Sequence, residues 1–297
     1  MIDTTNLRYK DHYFESTEEY FQFMIEELGF PDILHFFDSQ MVQSDGLKIN
    51  VDVHTHHKDA PTIVFVPGTS VYGLCYAEIL YELGKEGYNV VTLDPRGHGR
   101  SEGERGDYTI DELMADVETA IGFAKRQFNE KVTLMGSSQG GIVSFYLAAR
   151  GIKVDSIICQ NFADLQARET NQIARFPFLA QIGKPLLNGV ATLLPRVKIS
   201  TLSYLDLKSI KLTHFDNLFD FIVHDPFAIT KISLRAAKSL ANARMKKPVE
   251  EINIPTMVFQ GTSDIIFPYS YTEKIYEKLN CKKRIHLYDD CDHAIMV

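Results

Sequence analysis

No run of about 18 or more consecutive apolar residues occurs in the 297-residue chain, so its sequence offers no membrane-spanning helix. The first residues, Met1-Ile2-Asp3-Thr4-Thr5-Asn6-Leu7-Arg8, lack the apolar core of a secretory signal, and a cytoplasmic location is the expectation. Cysteine is scarce. Cys75, Cys159, Cys281 and Cys291 are too few and too scattered for a disulfide framework, and none shows C-x-x-C metal spacing, so reduced thiols are expected and no metal is. Cys159 lies in the apolar run Ser156-Ile157-Ile158-Cys159 and reads as a small buried hydrophobe. Internal repeats and low-complexity tracts are also missing, which excludes solenoids and argues against disorder.

What is present suits a globular protein with a sizeable core: 45% of residues are hydrophobic and 24% charged. The formal charge of −8 is unevenly spread, with +7 over residues 165–250 and −15 over the rest. That asymmetry marks either a face that meets an anionic substrate or surface, or a solvated surface whose charges cluster.

Along the chain, Ser16-Thr17-Glu18-Glu19 is a capping box and Tyr20, Phe21, Met24, Ile25 and Leu28 form a helical stripe ended by Gly29 and Pro31. From Gly46 strand and helix signals alternate. Lys48 to His54 has the period of two of an antiparallel strand with one wet face. Thr62 to Val66 and Asn89 to Leu93 are continuous apolar runs, as strands buried on both faces require. A stripe through Tyr76, Ile79, Leu80 and Leu83 separates those two runs. A helix over Ile110 to Arg126, a strand over Val132 to Met135, a helix over Ile142 to Ala149 and a strand over Val154 to Cys159 follow. This succession predicts an α/β fold, a mostly parallel sheet with helices on both faces. Between Phe162 and Pro248 the rhythm gives way to helical stretches joined by Pro177, Pro185, Pro195 and Pro226. It then resumes with Thr256 to Phe259, a helix over Tyr269 to Leu279, and Arg284 to Tyr288. The expected organisation is an N-terminal helical extension over 1–36, a core over 37–161 and 249–297, and an inserted helical cap or lid over 162–248.

Chemistry enters at Gly136-Ser137-Ser138-Gln139-Gly140-Gly141, directly after one predicted strand and before a helix. A nucleophile elbow needs this arrangement: the sharp turn strains the serine backbone, and small neighbours let strand and helix approach. Ser138 is therefore the candidate nucleophile, and the backbone N–H of Gln139, at the helix N-terminus, a candidate oxyanion donor. A serine hydroxyl needs a base, oriented in turn by an acid, in the chain order Ser, Asp or Glu, His. His293 follows the last strand and Asp264 the strand before it, on the sheet edge that carries Ser138. Asp164 is the rival acid; Asp290 and Asp292 read as local loop charges. His98, in Asp94-Pro95-Arg96-Gly97-His98-Gly99-Arg100-Ser101-Glu102-Gly103, precedes the serine and reads as a brace of its loop. His35, His54, His56, His57, His214, His224 and His286 read as surface or packing residues. The loop Val66-Pro67-Gly68-Thr69-Ser70 supplies the second oxyanion candidate, the Thr69 N–H.

The elbow, the run Arg96-Gly97-His98-Gly99-Arg100-Ser101-Glu102-Gly103-Glu104-Arg105-Gly106 and the turn Gly261-Thr262-Ser263-Asp264 resemble the α/β hydrolases grouped with monoacylglycerol lipases and lysophospholipases, over about residues 45–160 and 250–294. The resemblance implies an α/β-hydrolase fold and hydrolysis of carboxylic esters of fatty acyl chains, without metal or organic cofactor, at a site under a mobile cap. The family commonly has His-Gly where this chain has Pro67-Gly68, and His before the nucleophile where this chain has Ser137. Ser138 argues against a haloalkane dehalogenase, which needs an aspartate nucleophile, and the basic cap argues against an amine-binding iminopeptidase. Lactonase, thioesterase or acyltransferase chemistry with the same triad stays open, as does a non-catalytic ligand-binding protein on this fold. The apolar stretch Phe176-Pro177-Phe178-Leu179 with Ile182, Leu186, Leu187, Val190, Leu193 and Leu194, broken by Gly183, Pro185 and Gly189, reads as short helices that form an acyl tunnel or interfacial lid, or simply pack the cap. The expected partner is a small-molecule ester, lipid-like or anionic, with transient contact of the cap with a membrane surface and no nucleic acid.

Overall fold

A computed structural model describes residues 7–167, 177–203, 205–212 and 215–296. His214 and Phe176 lie outside the described residues, as do the side chains of Phe178, Leu179 and Ile182. The chain begins with a ribbon of β1 (Leu7–Tyr9) and β2 (His12–Phe14), then α1 (Thr17–Glu26), capped by the Ser16 hydroxyl on the Glu19 N–H, and α2 (Ile33–Phe36). The extension is thus not wholly helical: two strands of three residues each precede the expected helix, too short for their alternation to show.

The body is built from β3 (Asp38–Ser44), β4 (Leu47–His54), β5 (Thr62–Val66), α3 (Ala77–Lys85), β6 (Asn89–Leu93), α4 (Ile110–Gln127), β7 (Val132–Ser137), α5 (Gln139–Arg150) and β8 (Ser156–Gln160). The stretch that follows holds α6 (Pro177–Leu193), β9 (Lys198–Ser200), α7 (Leu218–His224), β10 (Lys231–Ser233) and α8 (Leu234–Asn242). The body resumes with β11 (Thr256–Gly261), α9 (Tyr269–Lys278) and β12 (Lys283–Tyr288). Eight strands form one sheet in the order β12-β11-β8-β7-β5-β6-β4-β3. It is parallel from β12 to β6, and β4 and β3 join antiparallel at one edge. The fully buried β5 and β6 and the largely buried β7 occupy its middle, as their sequences require.

Two expectations are corrected. The polar face of β4 is wet only at Lys48: Asn50 and Asp52 are buried like Ile49, Val51 and Val53. The loop after β6 covers them, with Arg100 paired to both Asp52 and Asp94, and Ser101 Oγ accepting the Asn50 N–H. Polar alternation here encodes a buried ion-pair network rather than solvent. Second, Gly183, Pro185 and Gly189 do not divide the apolar stretch, because α6 runs unbroken through them. It packs on α8, where Asn188 and Asn242 exchange amide hydrogen bonds of 2.7 and 3.3 Å and Lys238 reaches the Thr192 hydroxyl at 2.7 Å. Tertiary packing overrides the breakers. The stretch also holds the antiparallel pair β9–β10, again three residues a strand. Among the described residues no helix is long and apolar enough to cross a membrane.

Candidate active site

The site forms where the sheet changes winding direction, since β5 lies between β7 and β6 and loops leaving its carboxyl edge diverge there. Ser138 caps α5 with φ 53° and ψ −116°, a conformation side chains avoid. Its N–H donates to the Gln160 carbonyl at 2.8 Å, which ties the turn to β8. Gly140 is required by contact rather than by dihedral: a Cβ there would press into the Val66 carbonyl and sit 2.6 Å from that of Pro67. The Gln139 N–H opens α5, where no helical carbonyl precedes to accept it, and faces the turn.

His293 and Asp264 converge on this turn. Asp264 Oδ2 lies 2.9 Å from His293 Nδ1, and His293 Nε2 lies 2.9 Å from Ser138 Oγ. The Gly261 turn makes the approach possible, since a side chain there would collide with the carbonyls of Cys291 and Asp292 in the histidine loop. Asp264 Oδ1 accepts the N–H groups of Ile266 and Phe267, both at 2.8 Å. The Phe267 ring stacks on the imidazole at 5.5 Å, tilted by 10°. Both His293 and Asp264 are buried, so the pair is held in low dielectric with its geometry fixed by backbone.

Gly68 and Thr69 line a cavity together with Ser137, Ser138 and His293. The Gly68 N–H donates to the buried Tyr76 hydroxyl at 3.2 Å, and burial pushes that phenol up to about 12. The remaining wall is apolar, including Val71, Leu205, Leu207, Leu218, Phe221 and Ile266. No lysine or arginine is among the described lining residues. Two basic residues of 165–250 instead reach acidic groups of the body: Lys198 pairs with Glu104 at 2.5 Å, and Arg235 with Asp107 at 3.0 Å and Glu112 at 2.8 Å.

The rival residues lie elsewhere. Asp164 accepts the Gln166 N–H through its carboxylate and the Tyr271 hydroxyl through its carbonyl. Asp292 accepts N–H groups from Lys211 and Ala294. His98 is buried beside Tyr108, donates from Nδ1 to the Arg96 carbonyl at 2.9 Å, and is pushed by burial down to about 4, which keeps it neutral. Of the other histidines, His54 stacks on Phe36 and His224 bonds the Asp220 carbonyl. Cys159 is buried in β8, and burial pushes its thiol up. Among the described residues no cluster of three or more His, Cys, Asp or Glu forms a metal site.

Sequence reasoning missed a buried amide network behind the three residues. Ser137 Oγ donates to Gln160 Oε1 at 2.6 Å; Gln160 Nε2 donates to the His293 carbonyl; Asn161 Nδ2 donates to Asp264 Oδ2 at 2.9 Å and to Gln260 Oε1 at 3.1 Å. The available signal was a polar pair, Gln160-Asn161, at the carboxyl end of an apolar strand, matched by Gln260 at the same level of β11.

Residues 57–297 match the family described as serine aminopeptidase, S33. A monoglyceride lipase homolog of Monkeypox virus is 25% identical over 246 residues, 78% of this chain and 82% of that protein. An uncharacterized 31.7 kDa protein of Escherichia coli is 31% identical over 152 residues, 48% of this chain, so the chain spans about half of that relative, 52%. Among solved structures, the monoacylglycerol lipase of Paleococcus ferrophilus superimposes with a TM-score of 0.67 at 24% identity, over 84% of this chain and 91% of that one, a likeness of fold. The chain therefore belongs to the S33 serine aminopeptidase family of α/β hydrolases.

Proposed function

We propose that the protein is a serine esterase that cleaves carboxylic esters of acyl lipids through a covalent acyl-enzyme. The observation that carries this reading is the pair of 2.9 Å hydrogen bonds running from Asp264 through both nitrogens of His293 to Ser138 Oγ, at the wall of an apolar cavity. His293 takes the Ser138 proton as Oγ attacks the ester carbonyl, and returns it to the departing alcohol. The Gln139 and Thr69 N–H groups stabilise the oxyanion, and Asp264 holds the imidazole in the productive tautomer. Water, deprotonated by the same histidine, then attacks the acyl-enzyme and releases the acid.

The apolar lining supports an acyl substrate of monoacylglycerol type, and the lipase homolog among the relatives agrees with it. Residues 162–248 serve in this reading as a cap over the cavity. An anionic, lysophospholipid-like head group is the second reading and rests on the +7 of residues 165–250; it would have to lie outside the described lining. The exposed Leu186, Leu193, Leu194 and Val197, beside the exposed Lys184 and Arg196, suit a transient contact of the cap with a membrane surface.

Two measurements test the reading. A fluorophosphonate should label the wild type and not Ser138→Ala, and hydrolysis should fall by roughly 10⁴ or more in that variant. Across esters of graded chain length the wild-type rate should peak at long chains. Labelling that survives Ser138→Ala overturns the mechanism, and a peak at acetate or butyrate overturns the substrate class.

A further inference from the structure

We infer that Asn161 is a positioning residue for the triad, its side-chain amide holding the Asp264 carboxylate in the orientation that presents Oδ2 to His293; the inference rests on the triad reading above. Asn161 follows β8 with φ 63° and is fully buried. Asparagine tolerates that backbone region better than most residues, so backbone preference alone could place it there. Its side chain, however, makes three hydrogen bonds, each with a fixed direction. Gln260 commits Nε2 to the carbonyls of Gly261 and Phe267, both at 2.9 Å, and therefore turns Oε1 toward Asn161. The Asp264 carboxylate only accepts. Both neighbours of Asn161 Nδ2 are thus acceptors, and the amide can point one way only, with its oxygen toward Gln160 Nε2 at 3.3 Å.

The effect on Asp264 follows from counting acceptors. An ionised carboxylate offers about four lone-pair sites. Here the N–H groups of Ile266 and Phe267 occupy Oδ1, and those of Asn161 and His293 occupy Oδ2. With the Asp264 side chain only 1% exposed, solvent is poorly placed to replace a missing donor. Removing the Asn161 amide leaves Oδ2 with the imidazole alone. The carboxylate then pulls harder on the Nδ1 proton and is free to swing about its Oδ1 anchors. Gln160, one residue earlier, fixes the other half of the pair through the His293 carbonyl, so two adjacent amides at the end of β8 hold acid and base in register.

Asn161→Gly separates side chain from backbone, because glycine accepts the positive φ at no steric cost while losing the amide. The expected result is a variant that folds with a lowered Tm, because Gln160, Gln260 and Asp264 each lose a buried partner, a fluorophosphonate labelling rate at Ser138 lowered about tenfold, and a downfield move of the low-field proton resonance of His293 Nδ1–H in acid. A wild-type labelling rate overturns the inference, and so does a slower rate with that resonance unmoved. If the glycine variant does not fold, Asn161→Asp decides. It keeps shape and backbone tolerance but sets a carboxylate against Asp264, and should lose labelling at neutral pH, whereas normal labelling overturns the inference. Absence of Ser138 labelling in the wild type would instead remove the triad reading, and the resonance would still report whether Asn161 acts on Asp264.

Discussion

Ser138 keeps a strained backbone because its neighbours leave no alternative, and Gly140 is the most constrained of them. A methyl group at Gly140 has to displace the carbonyls of Val66 and Pro67, which are backbone of the strand and loop leading to Thr69. Gly140→Ala should therefore cost about 1–3 kcal/mol of stability, and should slow fluorophosphonate labelling by moving the Thr69 loop away from the serine. Thermal melting and labelling rates check both; unchanged labelling would detach that loop from the chemistry. At this scale the three bonded residues were legible because each follows its own predicted strand on one sheet edge, so order and position sufficed. Gln160 and Asn161 were not. Their partners His293 and Asp264 lie 133 and 103 residues away, and nothing local distinguishes an amide that serves the site from one that opens a loop.

Among the elements, those with long periodic faces or a clear cap were legible: α1, α4 and the buried β5, β6 and β7 appear within a few residues of their expected positions. Strands of three residues were not, since burial pattern needs length. The N-terminal extension shows what such elements do together. The hydroxyls of Tyr20 on α1 and Tyr72 in the loop after β5 both donate to Asp225, at 2.6 and 2.9 Å, while Asp225 Oδ1 accepts the N–H groups of Phe227 and Ala228. The Ile229 N–H reaches the Ser70 carbonyl at 2.8 Å, beside Thr69. Extension, the loop after β5 and the segment before β10 thus meet on one carboxylate. Burial raises the Asp225 carboxyl above its ordinary 3.8. The folded state then holds a proton that the unfolded state releases, so this group's stabilising contribution is full below 3.8 and is lost as pH rises through the raised value. Wild-type Tm minus that of Asp225→Asn should accordingly be largest in acid and shrink toward neutrality. A difference that stays constant with pH would show that Asp225 does not titrate in that window.

Across the whole molecule, the charge asymmetry of +7 against −15 acquires an internal use, because cations of residues 165–250 dock on acids of the body. Burial alone would raise Asp107 and Glu112, yet the hydrogen bonds from Arg235 hold both below the ordinary carboxylate range. Their contribution is therefore present above the unfolded values and lost as pH falls. The cavity beside Ser138 has a volume of about 40 Å³, whereas an apolar cavity that admits benzene is of the order of 150 Å³. An acyl chain can enter only if the proposed cap shifts, and Arg235 is one of the groups that resist the shift. Arg235→Ala should lower stability by no more than about 1 kcal/mol, since its side chain is one-third exposed and screened. It should also flatten the loss of Tm on the acid side, and raise kcat/KM for a long-chain ester relative to an acetate ester, because only the long chain needs the cap displaced. Equal ratios in variant and wild type would mean that the chain enters by a route the Arg235 contacts do not guard.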